Sequence, residues 1–221
     1  MSFEIFLTIG TLLMVAVMLY AGRIYKVQVW KRIASAVLLT AAGVIGAKLM
    51  AFIESGSFSG RSFFGALFFA PLIMVPAAKL LKIDISDMLD LCAPCECIML
   101  AFLKVDCFIE GCCKGRVLYI TETGEKVRFP SQIVECLFAV LLMLILLRIM
   151  VKKKNRGVIY PMYMLLYGFT RFILNLLRET EPFIWILPAG NFWSIISMIS
   201  GIVWMSVYEE RHTKSRKRKS K

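Results

Sequence analysis

The chain has 221 residues, 59% of them hydrophobic, and a mean hydropathy of +0.73. A soluble globular domain is about 45–50% apolar; here the excess comes in long runs, so a soluble domain is excluded and one compact membrane domain is predicted. The net charge of +12 reflects 27 Lys and Arg against 15 Asp and Glu. In a membrane protein such a surplus collects in cytoplasmic loops and tails, so the expected partners are membrane lipids and not nucleic acid.

A helix needs about 20 mostly apolar residues to cross the bilayer core, and seven stretches qualify. The expected fold class is therefore an all-α polytopic membrane protein of about seven transmembrane helices. The first runs from about Phe3 to Gly22; Glu4 stands where a basic n-region would lie, so a retained helix is expected rather than a cleaved signal peptide. The second spans about Ile33 to Ile53. The third, Phe63 to Leu81, contains Pro71 and Pro76, which neighbouring helices tolerate. An acidic turn with Asp84 and Asp87 leads to the fourth, Met88 to Leu103, where Pro94 predicts a kink. Residues 104–130 form the longest polar loop, and the alternation from Val117 to Phe129 predicts a small hairpin about Thr123-Gly124. The fifth helix covers Ser131 to Val151, the sixth Val158 to Leu177, and the seventh Phe183 to Val207. Residues 1–208 are read as a single transmembrane domain and 209–221 as a basic, disordered cytoplasmic tail.

Orientation follows from Lys and Arg in short loops. With the N-terminus outside and the C-terminus cytoplasmic, eighteen basic residues fall on the inner side, including Arg23, Lys82, Arg156 and Lys221. Seven fall outside: Arg61, Lys104, Lys114, Arg116, Lys126, Arg128 and Arg178.

Arg171 lies inside the sixth span. A charge there is costly and must face protein or water, which makes it a functional candidate; the structural alternative is a pair with a carboxylate such as Glu135. The Arg fork suits phosphate oxygens, so Arg61, Lys104, Arg116, Arg171 and Arg178 are expected to line an outward pocket for a phospholipid head group. Gly60, Gly65, Gly111 and Gly115 permit close backbone approach and could cradle an anion, although helix packing explains such glycines equally. Of the seven cysteines, Cys92, Cys95 and Cys97 read as helix-packing residues. Cys107, Cys112 and Cys113 lie at the outer face, suited to thiol exchange or a thiophilic metal. The single histidine, His212, is in the tail and completes no mixed site outside, so no joint metal site is expected.

Four segments, in order, resemble prolipoprotein diacylglyceryl transferases. A Gly-Ala-Arg followed by Ser-Phe-His-Gly-Gly-Leu in that family stands here as Gly46-Ala47-Lys48 and Ser62-Phe63-Phe64-Gly65-Ala66-Leu67. The second signature corresponds to Asp90, Ala93 and Pro94, then Leu103 to Arg116. The third is Pro130-Ser131-Gln132-Ile133-Val134-Glu135, and the fourth contains Tyr167, Gly168, Arg171, Phe172, Asn175 and Arg178. A late Gly190-Asn191-Phe192-Trp193-Ser194 is similar to the start of the family's last helix. The family's motif His is Phe64 here. Its Arg, Asn and Glu in the second signature are Lys104, Cys107 and Cys112, and its Glu in the fourth is Asn175.

The resemblance implies seven helices, N-terminus out, in the bacterial plasma membrane. It also implies transfer of a diacylglyceryl group from phosphatidylglycerol to the lipobox thiol of a prolipoprotein signal peptide. Implied catalytic residues are Arg171, Glu135 and Cys112. Implied substrate-binding residues are Lys104, Gly115, Arg116, Arg178, Gly65, Arg61, Gln132 and Cys107. No cofactor and no metal are expected. The alternatives are a thiol-redox or metal-binding membrane protein using the outer cysteines, and a non-catalytic lipid-binding paralogue.

Overall fold

The computed structural model describes residues 3–58, 60, 62–152, 156–179, 182–184 and 187–219. Seven helices follow one another among them: α1 (Phe3–Ile24), α2 (Val29–Ser55), α3 (Phe63–Leu81), α4 (Ile85–Ile109), α5 (Ser131–Val151), α6 (Ile159–Leu176) and α7 (Ala189–Lys219). Two short antiparallel hairpins interrupt the series. Strand β1 (Val117–Ile120) pairs with β2 (Lys126–Arg128) between α4 and α5, and β3 (Pro182–Ile184) pairs with β4 (Leu187–Pro188) between α6 and α7. Helices α1, α2, α3, α5 and the Ala189–Glu210 part of α7 are long and apolar enough to cross a membrane. The chain is a polytopic membrane protein. Large apolar side chains such as Leu12, Leu72, Leu80 and Leu137 point outward, fully suited to hydrocarbon and poorly to water.

Helix α4 is the axis of the bundle, packed against α1, α3, α5 and α6. Every residue from Asp87 to Cys97 on it is buried, which lets it carry Asp90, Glu96 and Lys104 without exposing them to lipid. The expected fourth helix stops at Leu103; the observed one continues to Ile109 because Lys104 finds a carboxylate partner inside the bundle. Its start is fixed by Asp84, whose side chain accepts from the backbone N–H of Ser86 (2.9 Å) and Asp87 (3.3 Å). The helix passes Pro94 without a break, as α3 passes Pro71 and Pro76.

Asp90 ties three elements together. Its carboxylate accepts from the backbone N–H of Gly157 (2.6 Å), Ile159 (3.0 Å) and Tyr160 (3.2 Å), and from the Tyr25 hydroxyl (3.0 Å). A side chain of α4 therefore caps the N-terminus of α6, where unsatisfied N–H groups and the helix dipole both favour an anion. At the same end Arg32 donates to the Leu19 carbonyl near the end of α1 and to the Val27 carbonyl in the connection to α2, tying α2 back onto α1.

Small residues set the helix crossings, as expected where lipid gives no hydrophobic drive. Gly46 on α2 and Gly65 on α3 meet backbone to backbone: a Cβ at Gly65 would lie 1.9 Å from the Gly46 carbonyl oxygen. Gly201 on α7 likewise packs on the Pro161 carbonyl of α6, where a Cβ would lie 2.6 Å from the oxygen.

The expected hairpin about Thr123-Gly124 is present, with Ile120 opposite Lys126 and Gly124 at φ +80°. The seventh helix begins later than expected, at Ala189 rather than Phe183. Pro182 and Pro188 favour extended backbone, and the apolar segment they bracket forms β3 and β4 instead. The tail expected to be disordered continues α7 as helix to Lys219.

Two outcomes test these contacts. Asp90→Ala leaves several buried N–H groups unpaired and should lower stability in detergent by about 3 kcal/mol or more, with Asp90→Asn intermediate. Gly65→Ala should cost roughly 1–3 kcal/mol by forcing α2 and α3 apart. Thermal unfolding at matched detergent concentration measures both; unchanged melting in either variant would refute the contact concerned.

Candidate active site

A cavity of about 510 Å³ lies among α1–α4, α6 and the start of α7. Its deeper wall is apolar, with Leu7, Met14, Leu39, Phe64 and Met99, and its mouth is polar, with Lys104, Cys107, Cys112, Cys113, Arg171 and Arg178. A long apolar trough ending in a cationic mouth has the shape of an amphiphile.

The cations converge on Glu135, which projects from the second turn of α5 and is buried. Lys104 Nζ of α4 lies 2.6 Å from Oε2, and Arg178 Nη1 lies 3.3 Å from Oε1. Arg171 Nη1 of α6 also donates to Oε1. The structural alternative for Arg171, a pair with Glu135, is therefore observed, and two further cations share the same carboxylate. Three cations thus share this one carboxylate, and Glu54 on α2 lies within electrostatic reach of Arg171. Arg178 Nε is buried and has no hydrogen-bond partner among the described residues. The lining carries four further carboxylates, Glu54, Glu96, Asp106 and Glu110. Glu54 accepts from Ser62 Oγ (2.9 Å), and Glu96 lies on the floor with Oε1 3.3 Å from the Tyr160 hydroxyl.

The outer cysteines come together. The sulfurs of Cys107, Cys112 and Cys113 all lie within 4.8 Å of one another, a group able to hold a metal ion. Cys107 is on the last turns of α4; Gly111 (φ +67°) and Cys113 (φ +56°) turn the chain back over it. Cys112 N–H donates to the Cys107 carbonyl (3.1 Å). From α5, Gln132 Nε2 donates to the Cys112 carbonyl (2.5 Å) and Ser131 Oγ to the Cys113 carbonyl (2.9 Å). A hydrogen bond from the Cys107 thiol holds the Cys113 thiol below its ordinary range, reinforced by the charges of Lys104 and Arg178, while burial pushes Cys112 up. Cys92, Cys95 and Cys97 are fully buried packing residues in the middle of α4.

Several expected site residues stand outside the cavity. Gly65 packs on α2, and a Cβ at Gly115 would lie 2.2 Å from the Phe129 carbonyl oxygen, so both serve close packing. Gly115 also forms an antiparallel bridge with Arg178, which anchors the loop to the end of α6. Arg116 is exposed and fastens the hairpin: its N–H donates to the Leu177 carbonyl (2.9 Å) and its Nε to the Arg178 carbonyl (3.3 Å). Gln132 positions Cys112 from behind. Arg61 lies outside the described residues. Asn175 donates to Asn191 Oδ1 (3.0 Å) and locks α6 to the start of α7.

Sequence reasoning missed Tyr167, Glu54 and Glu96 on the lining. The acidic residues within apolar runs were a signal that could have found the last two. Lys48 also lines the cavity, its ammonium donating to the Phe58 carbonyl (2.7 Å).

Comparison with known proteins gives the family of the chain. The family model for prolipoprotein diacylglyceryl transferase matches residues 2–207. Phosphatidylglycerol–prolipoprotein diacylglyceryl transferases are among the similar proteins. That of Clostridium tetani is 26% identical over 155 residues, covering 65% of this chain and 62% of the relative. The second such enzyme of Clostridium perfringens is 24% identical over 196 residues, covering 77% and 76%. That of Geobacter sulfurreducens is 31% identical over 140 residues, covering 60% and 54%. The chain thus spans little more than half to three quarters of these relatives' lengths. With the match extending over nearly the whole helical bundle, the chain belongs to the prolipoprotein diacylglyceryl transferase family.

Proposed function

We propose that this protein transfers the diacylglyceryl group of phosphatidylglycerol to a cysteine thiol of a prolipoprotein signal peptide, at the outer face of the bacterial plasma membrane. The observation that carries the reading is the convergence of Lys104, Arg171 and Arg178 on the single carboxylate of Glu135, at the mouth of an apolar cavity. The acyl chains occupy the apolar part of the cavity, and the phosphate lies against the cations. Glu135 holds the three cations in place, and their remaining N–H donors meet the phosphate of the lipid.

Chemistry follows from this placement. The acceptor sulfur attacks the diacylglyceryl carbon that bears the phosphate ester. The C–S bond forms as the C–O bond breaks, and glycerol phosphate departs with the electron pair. Negative charge grows on the leaving phosphate, where fixed cations in a water-poor site stabilise it most. Arg171 and Arg178 act as phosphate clamps, with the unpartnered Arg178 Nε as one free donor. Arg116 and Gly115 support Arg178 through the hairpin anchor.

The proposed topology has all seven helices spanning, N-terminus outside, with 209–221 a cytoplasmic tail. Burial within the bundle supports spanning by α4, whose charges face neighbouring helices. The cavity mouth, the hairpin β1–β2 and the basic-poor loops then share the outer side. Reporter fusions at Thr123 should read outside and fusions at the C-terminus inside; a cytoplasmic signal at Thr123 would invert the scheme.

Transfer from phosphatidylglycerol to a lipobox peptide, assayed with purified protein in lipid, tests the activity itself. In that assay Arg171→Lys keeps a cation for Glu135 but loses the planar fork, and transfer should fall by about 100-fold or more, roughly 3 kcal/mol. The double variant Arg171→Gln, Glu135→Gln removes charge in balance, so thermal stability should largely return while transfer stays low. Full transfer in both variants would reduce Arg171 to a structural ion pair.

A further inference from the structure

A thiol must lose its proton to attack, and the cavity offers no imidazole for that purpose. Phe64 stands at the position of the family's motif histidine, packed at 5.5 Å between ring centroids on Tyr167, and His212 is far along α7. Another group must therefore favour the acceptor thiolate.

We propose that Cys107, Cys112 and Cys113 form a three-thiolate site for a zinc ion, whose fourth position faces the cavity and takes the sulfur of the acceptor cysteine. The second half of this statement rests on the transfer activity proposed above; the first does not. Tetrahedral zinc with Zn–S near 2.3 Å sets sulfurs about 3.8 Å apart, and the three sulfurs already lie within 4.8 Å of one another. Small side-chain rotations close the difference.

The backbone is built to bring these thiols together. Cys113 holds a left-handed φ of +56°, which is unfavourable for a residue with a Cβ. The conformation is held by Ser131 and Gln132, which grip the carbonyls of Cys113 and Cys112. Without that turn, adjacent residues 112 and 113 would direct their sulfurs apart. All three cysteines line the cavity, with Cys112 exposed and Cys107 and Cys113 half-buried, so an ion has access and one face stays open.

The donor set selects the metal class. Three thiolates without imidazole or carboxylate favour a thiophilic d¹⁰ ion over magnesium, calcium or manganese. Zinc with three thiolates carries one net negative charge, suited to a place beside Lys104 and Arg178. A thiol that joins the zinc is deprotonated outright. Its S–H bond breaks, its lone pair enters the fourth position, and its proton leaves to water at the cavity mouth. The bound sulfur then forms the C–S bond as glycerol phosphate leaves with the C–O electron pair.

The full chain, purified in detergent under a phosphine reductant, is titrated with Co²⁺ and then with Zn²⁺. The expected result is one tetrahedral cobalt per chain with sulfur-to-cobalt charge-transfer absorption, displaced by zinc. Cys107→Ser, Cys112→Ser and Cys113→Ser should each weaken binding by roughly 100-fold or more, whereas Cys136→Ser should not. A lipobox peptide with free cysteine should then shift the visible cobalt bands and release one proton, and its serine counterpart should do neither. Absence of stoichiometric binding in reduced protein, or binding that survives Cys113→Ser in a monodisperse sample, overturns the site. Binding without a response to the cysteine peptide overturns the fourth-ligand assignment. Metal binding and peptide response without lipid transfer would uphold the zinc site and sink the transferase reading instead.

Discussion

Glu135 is where three helices agree. A carboxylate in the membrane-embedded part of a bundle is costly, and so is each cation that answers it. Lys104 on α4, Arg171 on α6 and Arg178 just beyond α6 all depend on this one group, which α5 supplies from its second turn. Charge conservation in a low-dielectric setting thus fixes the relative position of α4, α5 and α6 at the cavity mouth. The same constraint gathers three cations on one carboxylate at the edge of the cavity, whose lining also carries Asp106, Glu110 and Glu54.

The opposite end of the bundle uses the inverse device. There one buried carboxylate, Asp90, answers backbone N–H groups at the start of α6 and the Tyr25 hydroxyl. It fully spends its acceptor capacity, leaving nothing for a ligand. Between the ends, close backbone contacts at Gly46–Gly65 and at Gly201 define how far the helices approach. One end is therefore saturated and structural, while the other keeps Arg178 Nε without a hydrogen-bond partner among the described residues, and the cavity opens at that end.

Much of this was legible in the sequence, because lipid imposes length and composition on a spanning helix. The apolar runs and the Thr123-Gly124 turn follow from local rules; the pairing of Arg171 with Glu135 was one of two alternatives that the cost of a charge within a span left open, and the long-range contact settles that the pair forms. Other features depended on tertiary contacts. The fourth helix outran its apolar stretch because Lys104 is paired inside the bundle. The segment around Phe183 is apolar enough for a helix, yet its flanking prolines make it a hairpin. Gly65 and Gly115 fit an anion cradle by residue type, but the decisive fact is the neighbouring backbone within 2.2 Å of a Cβ. Arg116 looked like a ligand for phosphate and proved to be a fastening for the hairpin. The convergence of Cys107, Cys112 and Cys113 matches no standard metal spacing; it arises from left-handed φ at Gly111 and at Cys113.

The substitutions relative to the family's signatures acquire a common sense in three dimensions. Phe64 in place of histidine closes the aromatic wall with Tyr167 and Phe68, extending apolar surface into the cavity. Asn175 in place of glutamate removes a negative charge and spends its side chain on Asn191. Cys107 and Cys112, in place of asparagine and glutamate, bring thiols to the mouth next to Cys113. Each of the first two changes removes a titratable group, and the last pair adds two thiols beside Cys113, the one thiol of the three that is held below its ordinary range. The cations that share Glu135 then have two counterparts under the readings proposed above. One is the phosphodiester of the lipid donor, and the other is the net negative charge of a zinc ion held by three thiolates. If the proposed transfer and the proposed zinc site both hold, the loss of the histidine and the gain of the cysteines are two sides of one change in how the acceptor thiol is made nucleophilic.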